Sequence, residues 1–111
     1  MNGIPSVSVA QVPDPLPEGL FVVDVREPAE WAHGRIDGSV HIPMSEFIER
    51  IDEVPVDQQV LVVCKVGGRS AQVTQYLVQS GFEAVNLDGG VLEWVAAGRE
   101  LVSDAGDPVV F

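Results

Sequence analysis

The fold of this chain is decided by the stretch Val60-Leu61-Val62-Val63-Cys64-Lys65-Val66-Gly67-Gly68-Arg69-Ser70. Its first four residues form an apolar run, which predicts a strand buried on both faces. The run ends at Cys64, the single cysteine of the sequence, and passes into a glycine-rich turn that carries Lys65 and Arg69. A helix is predicted to follow from Ser70 to Gln79. The stretch therefore predicts a strand, a turn and a helix, the repeating unit of α/β proteins.

Strand and helix signals alternate along the rest of the chain. The predicted strands are an edge strand at Val7–Val9, buried strands at Leu20–Asp24 and Ala84–Leu87, and a short strand at Val40–Ile42. The predicted helices are a short one between Pro28 and Gly34, one capped by Ser45 that carries Phe47, Ile48 and Ile51, and a last one that carries Leu92, Val95 and Ala96. Strands that are apolar on both faces predict a mainly parallel central sheet of about five strands with helices on both faces.

The length of 111 residues suits one domain with one core. We expect a single domain over residues 1–111, with a core at about residues 5–98 and a C-terminal tail at residues 99–111. The tail shows no clear period, so a packed and a frayed arrangement both remain open.

The composition excludes several classes of function. The formal net charge is −11, from 17 acidic and 6 basic residues, which argues against binding to nucleic acid or to anionic membranes. No apolar run approaches the length of a membrane span, and the first residues lack the pattern of a secretory signal, so we expect a cytoplasmic protein. A single cysteine rules out an internal disulfide and a multi-cysteine zinc site. We therefore predict a site that uses no metal and no other cofactor.

Cys64 is the candidate nucleophile. In a parallel sheet, ligands bind outside the carboxyl ends of the strands, and Asp24 and Cys64 both fall at such ends. Gly67 and Gly68 permit a turn whose N–H groups converge on an anion, and Arg69 adds a permanent positive charge. These features favour thiolate over thiol, so the pKa of Cys64 should lie below its ordinary value. The alternative is a buried and inert cysteine, which is common at strand ends.

A thiolate held in this way can attack a sulfane sulfur and keep it as a persulfide. Because the chain has no second cysteine, the sulfur must leave to an external acceptor such as cyanide or a small thiol, in a two-step cycle. We predict that the side chains of Lys65 and Arg69 attract a small anionic donor. The remaining candidate anion-binding residues are Val66, Gly67, Gly68 and Ser70.

Three residues near the turn have two interpretations each. The Ser70 hydroxyl either caps the following helix, the interpretation that we favour, or touches the bound anion. Asp24 and Arg26 either tune the site electrostatically or form a structural ion pair at the end of their strand, and we favour the ion pair.

The chain resembles the single-domain rhodanese family, whose members are thiosulfate sulfurtransferase-like proteins. The active loop of that family reads C-x-x-G-x-R-S, and residues 64–70 match it in full. Further motifs resemble the family at residues 24–31, 34–43, 81–82 and 87–90 and at Trp94, so that the resemblance spans roughly residues 20–98. Arg35 departs from the family, which commonly has histidine there.

The resemblance implies an α/β fold and a persulfide-forming role for Cys64, with the N–H groups of residues 65–69 around its sulfur. Phosphatases of the same fold have a loop that is one residue longer, so we expect sulfur chemistry rather than phosphate chemistry. Two other functions remain open. One is a binding or sulfur-delivery module that exchanges sulfur with a protein partner, and the other is a redox sensor.

Overall fold

The computed structural model describes residues 3–111. They form an α/β domain around a five-stranded sheet in which every pair of neighbouring strands is parallel. The spatial order is β1-β5-β4-β2-β3. The strands are β1 (Ser6–Val7), β2 (Leu20–Asp24), β3 (Val40–His41), β4 (Gln59–Val63) and β5 (Glu83–Leu87). The predicted fold class is therefore confirmed.

The central strand β4 shows why the sequence folds this way. Its side chains alternate between two hydrophobic cores, one on each face of the sheet. Val60 and Val62 belong to the core on one face, and Leu61 and Val63 belong to the core on the other. Residues 60–63 of β4 are buried and all four are apolar, as is typical of a strand covered on both faces, whereas Gln59 at its start is exposed.

Three helices complete the domain: α1 (Pro28–His33), α2 (Gly68–Gln79) and α3 (Gly90–Ala96). Helix α2 contributes Val73 and Leu77 to one core, and α3 contributes Val91 and Trp94 to the other. None of the helices formed by residues 3–111 combines the length and the apolarity needed to traverse a lipid bilayer.

The last predicted helix is present as α3. Leu92 and Val95, two of the residues that it was predicted to carry, are 48% and 45% exposed. Val91 and Trp94 lie three residues apart and hold the inner face, which leaves the next position along the chain pointing away from the sheet.

The predicted edge strand at Val7–Val9 is shorter than expected and begins one residue earlier. The N–H of Ser8 donates to Oε1 of Gln11 at 2.8 Å, which turns the backbone out of the sheet. Residues Val9–Gln11 consequently form a 3-10 turn. A side chain that bonds the backbone three residues away competes in this way with strand pairing.

The helix that Ser45 was predicted to cap is absent from this segment. Two 3-10 turns, Met44–Glu46 and Ile51–Glu53, replace it. Arg50, whose backbone is not helical, lies between them and donates to the side chains of Glu46 and Glu53 and to the carbonyl oxygen of His41. These contacts hold the two short turns against the end of β3. The segment therefore forms two turns and not the single predicted helix.

The C-terminal tail is packed. Val102 forms an antiparallel bridge with Arg35, and the N–H of Val109 donates to the carbonyl oxygen of His33 at 2.9 Å. The ring of Phe111 stacks on that of His33, with 4.6 Å between their centroids. The tail therefore lies against the end of α1.

Candidate active site

Cys64 directly follows β4, the central strand of the sheet. Asp24 ends the neighbouring strand β2, where it is in register with Val63. The two residues therefore lie at the same carboxyl edge, as the sequence predicted. This edge is where parallel α/β sheets place their ligand sites.

The sulfur of Cys64 lies inside the turn that follows it. The N–H of Gly67 donates to Sγ at 3.0 Å, and the hydroxyl of Ser70 lies 3.2 Å from the same atom. Gly67 has a φ of 107°, in the region that favours glycine, and this conformation lets the chain pass from the turn into α2. Cys64 is only 1% exposed, so the burial that the alternative interpretation of the sequence described is present. A donor must therefore displace neighbouring atoms to reach Sγ.

The surroundings of the sulfur lower the pKa of Cys64 below its ordinary value. Burial acts in the opposite direction and raises the pKa, because it disfavours the charged thiolate. Hydrogen bonds from the Ser70 hydroxyl and from the N–H groups of Ser70, Gly67 and Val66 outweigh it. The direction agrees with the prediction, but its main favourable cause is hydrogen bonding and not the charge of Arg69.

N–H groups at the start of α3 bind two backbone carbonyl oxygens of the turn. The N–H of Val91 donates to the carbonyl oxygen of Cys64 at 3.0 Å, and the N–H of Leu92 donates to that of Lys65 at 3.1 Å. With these two carbonyls directed at α3, the following N–H groups are free to face the sulfur. Gly90 has a φ of 59°, and a Cβ at this position would overlap both carbonyls. This contact explains why a glycine stands there.

Asn86, on β5, is a site residue that the sequence analysis missed. Its Oδ1 accepts a short hydrogen bond from the Ser70 hydroxyl, and its Nδ2 donates to the carbonyl oxygen of Gly67 at 3.3 Å. The residue is 4% exposed. A signal was present, because Asn86 is the one polar residue within the apolar run from Ala84 to Leu87.

These contacts correct the role that was favoured for Ser70. Gly67 occupies the N-cap position of α2, and Ser70 is the third residue of the helix. Its hydroxyl does not cap the helix but has one hydrogen within reach of two acceptors, Cys64 Sγ and Asn86 Oδ1. Ser70 therefore belongs to the surroundings of the sulfur.

Arg69 is engaged in an ion pair that the sequence did not reveal. Its Nη1 and Nη2 donate to Oε1 and Oε2 of Glu30 at 2.7 and 2.9 Å. This bond raises the pKa of Arg69 and lowers that of Glu30. Glu30 lies in the first turn of α1, so the pair joins α1 to the first turn of α2. Within residues 3–111, neither Arg69 nor Lys65 donates a side-chain hydrogen bond to Sγ.

Asp24 and Arg26 form the structural ion pair that was favoured from the sequence. Arg26 Nη2 lies 2.8 Å from Asp24 Oδ2, and both side chains are almost completely buried. Arg26 Nη2 also donates to the carbonyl oxygen of Gly34, which follows α1. The pair consequently ties the end of β2 to the end of α1, the helix that carries Glu30.

Comparison with known proteins places these features in a family. Residues 8–97 match the family model described as "Rhodanese-like domain". A protein of Allochromatium vinosum named "Sulfurtransferase" is 39% identical over 90 residues, which cover 80% of this chain and 84% of that protein. "Thiosulfate sulfurtransferase GlpE" of Pseudoalteromonas translucida is 35% identical over 98 residues, 86% of this chain and 93% of that protein.

A solved structure agrees with these matches. The crystal structure of a rhodanese-related protein from Thermoplasma volcanium superposes with a TM-score of 0.83 at 34% identity and covers 88% of this chain and 97% of that one. The fold, the turn around Cys64 and these matches agree with one another. The chain belongs to the rhodanese-like domain family.

Proposed function

We propose that this protein is a sulfurtransferase that moves sulfane sulfur from a small anionic donor such as thiosulfate to cyanide or a thiol, through a persulfide on Cys64. The proposal rests on the hydrogen bonds around Cys64 Sγ. This sulfur accepts a hydrogen bond from the Gly67 N–H at 3.0 Å and lies 3.2 Å from the Ser70 hydroxyl. The names of the relatives support the reaction class, because one is a sulfurtransferase and another a thiosulfate sulfurtransferase.

In the first step the Cys64 thiolate attacks the outer sulfur of thiosulfate. A bond forms between the two sulfurs, the S–S bond of the donor breaks, and its electron pair leaves with sulfite. The negative charge then rests on the outer sulfur of the persulfide. Convergent N–H donors of the turn suit the thiolate, and they also suit the persulfide, whose anionic outer sulfur lies one S–S bond, about 2 Å, from Sγ.

In the second step an external nucleophile attacks the outer sulfur of the persulfide. Cyanide forms thiocyanate and returns the electron pair to Cys64 as thiolate, and a thiol acceptor leaves with a persulfide of its own. The chain holds no second cysteine that would do this internally. The cycle is therefore of the ping-pong type. A thiolate that must remain reduced works best in a reducing compartment, so we place this activity in the cytoplasm.

The decisive experiment is intact-mass spectrometry after treatment with thiosulfate. We expect the protein to gain the mass of one sulfur atom, to lose it on addition of cyanide, and to show no gain in the Cys64→Ser variant. The Ser80→Ala variant is the control, because Ser80 follows α2 at the end remote from the turn. A protein that takes up no sulfur, or a Cys64→Ser variant that still does, would contradict the proposal.

One further observation favours a second function, sulfur delivery with a protein partner. Val66 lies in the turn next to the site and is 57% exposed, so a partner protein that approaches Cys64 can contact its apolar side chain. The net charge of −11 would suit a basic partner. If this is the function, turnover of small donors will be slow, and a Val66→Ser variant will impair transfer to the partner while leaving uptake from thiosulfate unchanged.

A further inference from the structure

Glu30 holds the cation that was expected to bind the donor. Both terminal nitrogens of Arg69 donate to the two carboxylate oxygens of Glu30, and such a bidentate pair satisfies the planar fork of the guanidinium. Glu30 is fixed in turn by the N–H of Glu27, which donates to Oε1 at 2.8 Å. Its side chain is 13% exposed, against 34% for Arg69. The carboxylate is therefore a built part of the site and not a mobile surface charge.

The charges close to Cys64 balance once its thiol is ionised. Asp24 cancels Arg26 in the buried ion pair, and Glu30 cancels Arg69. Lys65, which is next to Cys64 in the chain, forms no ion pair within residues 3–111 and carries the remaining positive charge of the turn. The site is therefore close to neutral, and it lies in a chain whose formal net charge is −11. A donor with two negative charges meets no net attraction there.

We propose that Glu30 determines the donor preference of the site, so that sulfane sulfur donors with one negative charge are favoured over the thiosulfate dianion. This inference rests on the proposed function. Because Glu30 neutralises Arg69, the pair gives a dianion no advantage over a monoanion, while the negative net charge of the chain repels a dianion twice as strongly as a monoanion at the same distance. A thiosulfonate or a small alkyl persulfide also carries a transferable sulfane sulfur, but its single negative charge halves this repulsion.

Methanethiosulfonate is the matched probe, because it differs from thiosulfate by a methyl group in place of one charged oxygen. The Cys64 thiolate attacks its outer sulfur, the S–S bond of the donor breaks, and the electron pair leaves with methanesulfinate. One thiolate and one monoanion yield one persulfide anion and one sulfinate, so atoms and charge balance. The persulfide is the same one that thiosulfate produces, which makes the second step common to both donors.

The test compares kcat/KM for the two donors in the wild-type protein and in Glu30→Gln, which keeps the shape of the side chain and removes its charge. We expect the substitution to raise the value for thiosulfate about tenfold and that for methanethiosulfonate about threefold, because the repulsion scales with the donor charge. The ratio between the donors then shifts about threefold towards thiosulfate. Glu83→Gln is the control, since Glu83 begins β5 at the opposite edge of the sheet. It removes the same charge and should leave the ratio unchanged.

A second substitution separates electrostatics from a structural role. If Arg69 is the cation that Glu30 withholds, adding Arg69→Gln to Glu30→Gln must abolish the gain for thiosulfate. An unchanged ratio in a folded Glu30→Gln protein, or a gain that survives loss of Arg69, would overturn the inference while the proposed function stands. A wild-type protein that gains no sulfur from either donor in the mass measurement would overturn both.

Discussion

Replacing Ser70 by alanine tests the origin of the thiolate. In the structure the Ser70 hydroxyl lies 3.2 Å from Cys64 Sγ, and it is the largest of the contributions that lower the pKa of that thiol. The Ser70→Ala variant keeps the N–H groups of the turn and removes only this hydroxyl. We therefore expect the pKa of Cys64 to rise.

The size of the rise follows from the strength of the bond. A hydrogen bond to a charged acceptor contributes about 1.5–3 kcal/mol, and one pKa unit corresponds to about 1.4 kcal/mol, so complete loss would raise the pKa by about 1–2 units. The hydroxyl has one hydrogen and also contacts Asn86, which weakens its bond to the sulfur. We accordingly expect a rise of about one unit.

The assay is the rate of alkylation by iodoacetamide as a function of pH, since only the thiolate reacts. Thr74→Val is the matched control. Thr74 Oγ1 donates to the carbonyl oxygen of Ser70 at 2.7 Å in the same buried helix and makes no bond to the sulfur. This variant loses one buried hydrogen bond as Ser70→Ala does, but the pKa of Cys64 should not move.

Two outcomes would refute the reasoning. If the pKa in Ser70→Ala equals that of the wild-type protein, the hydroxyl hydrogen is directed to Asn86 alone and the N–H groups hold the thiolate unaided. If Thr74→Val raises the pKa by the same amount, the change reflects loosening of α2 and not the loss of a donor to Sγ.

Three further predictions concern the turn and its supports. The Gly90→Ala variant should lose about 3 kcal/mol of unfolding free energy in urea and most of its sulfur uptake, because the new Cβ overlaps the Cys64 carbonyl. The control is Gly98→Ala, which also lies at positive φ but in open space and should lose only about 1 kcal/mol; equal losses would contradict the clash. Arg26→Met should lose about 3–5 kcal/mol, since it strands the buried Asp24 carboxylate, and a loss below about 1 kcal/mol would contradict this. The folded pKa of Cys64 is lowered, so the thiolate stabilises the folded protein fully above about pH 8.5, and this stabilisation disappears as the pH falls through the folded pKa. The difference in unfolding free energy between the wild-type protein and Cys64→Ala should therefore grow with pH, and a difference that stays constant would show that the thiol is not perturbed.

The features that the sequence predicted well depend on local pattern. The apolar run Val60–Val63 specifies a strand buried on both faces, and Asp24 and Cys64 each stand directly after such a run, so their common edge follows from the parallel sheet. Gly67 takes the positive φ that the predicted tight turn requires. Gly68, which was predicted to share that role, is instead the first residue of α2.

The features that the sequence did not reveal depend on contacts between distant segments. Glu30 pairs with Arg69 across 39 positions of the chain, and no local pattern marks that partnership. Ser70 was assigned as a helix cap because the start of α2 was placed two residues too late, at Ser70 instead of Gly68. The sequence does mark Asn86 as unusual, because a polar residue in a buried strand requires a hydrogen-bonding partner, but it does not show which residue that partner is.

The grip of α3 on the carbonyl oxygens of Cys64 and Lys65 has a consequence for the speed of the chemistry. Peptide groups that are clamped on one side cannot rotate when charge arrives on the other, so the dipoles around the sulfur already point the right way before a donor binds. Because these peptide groups are already oriented towards the sulfur, each sulfur transfer requires little reorganisation energy.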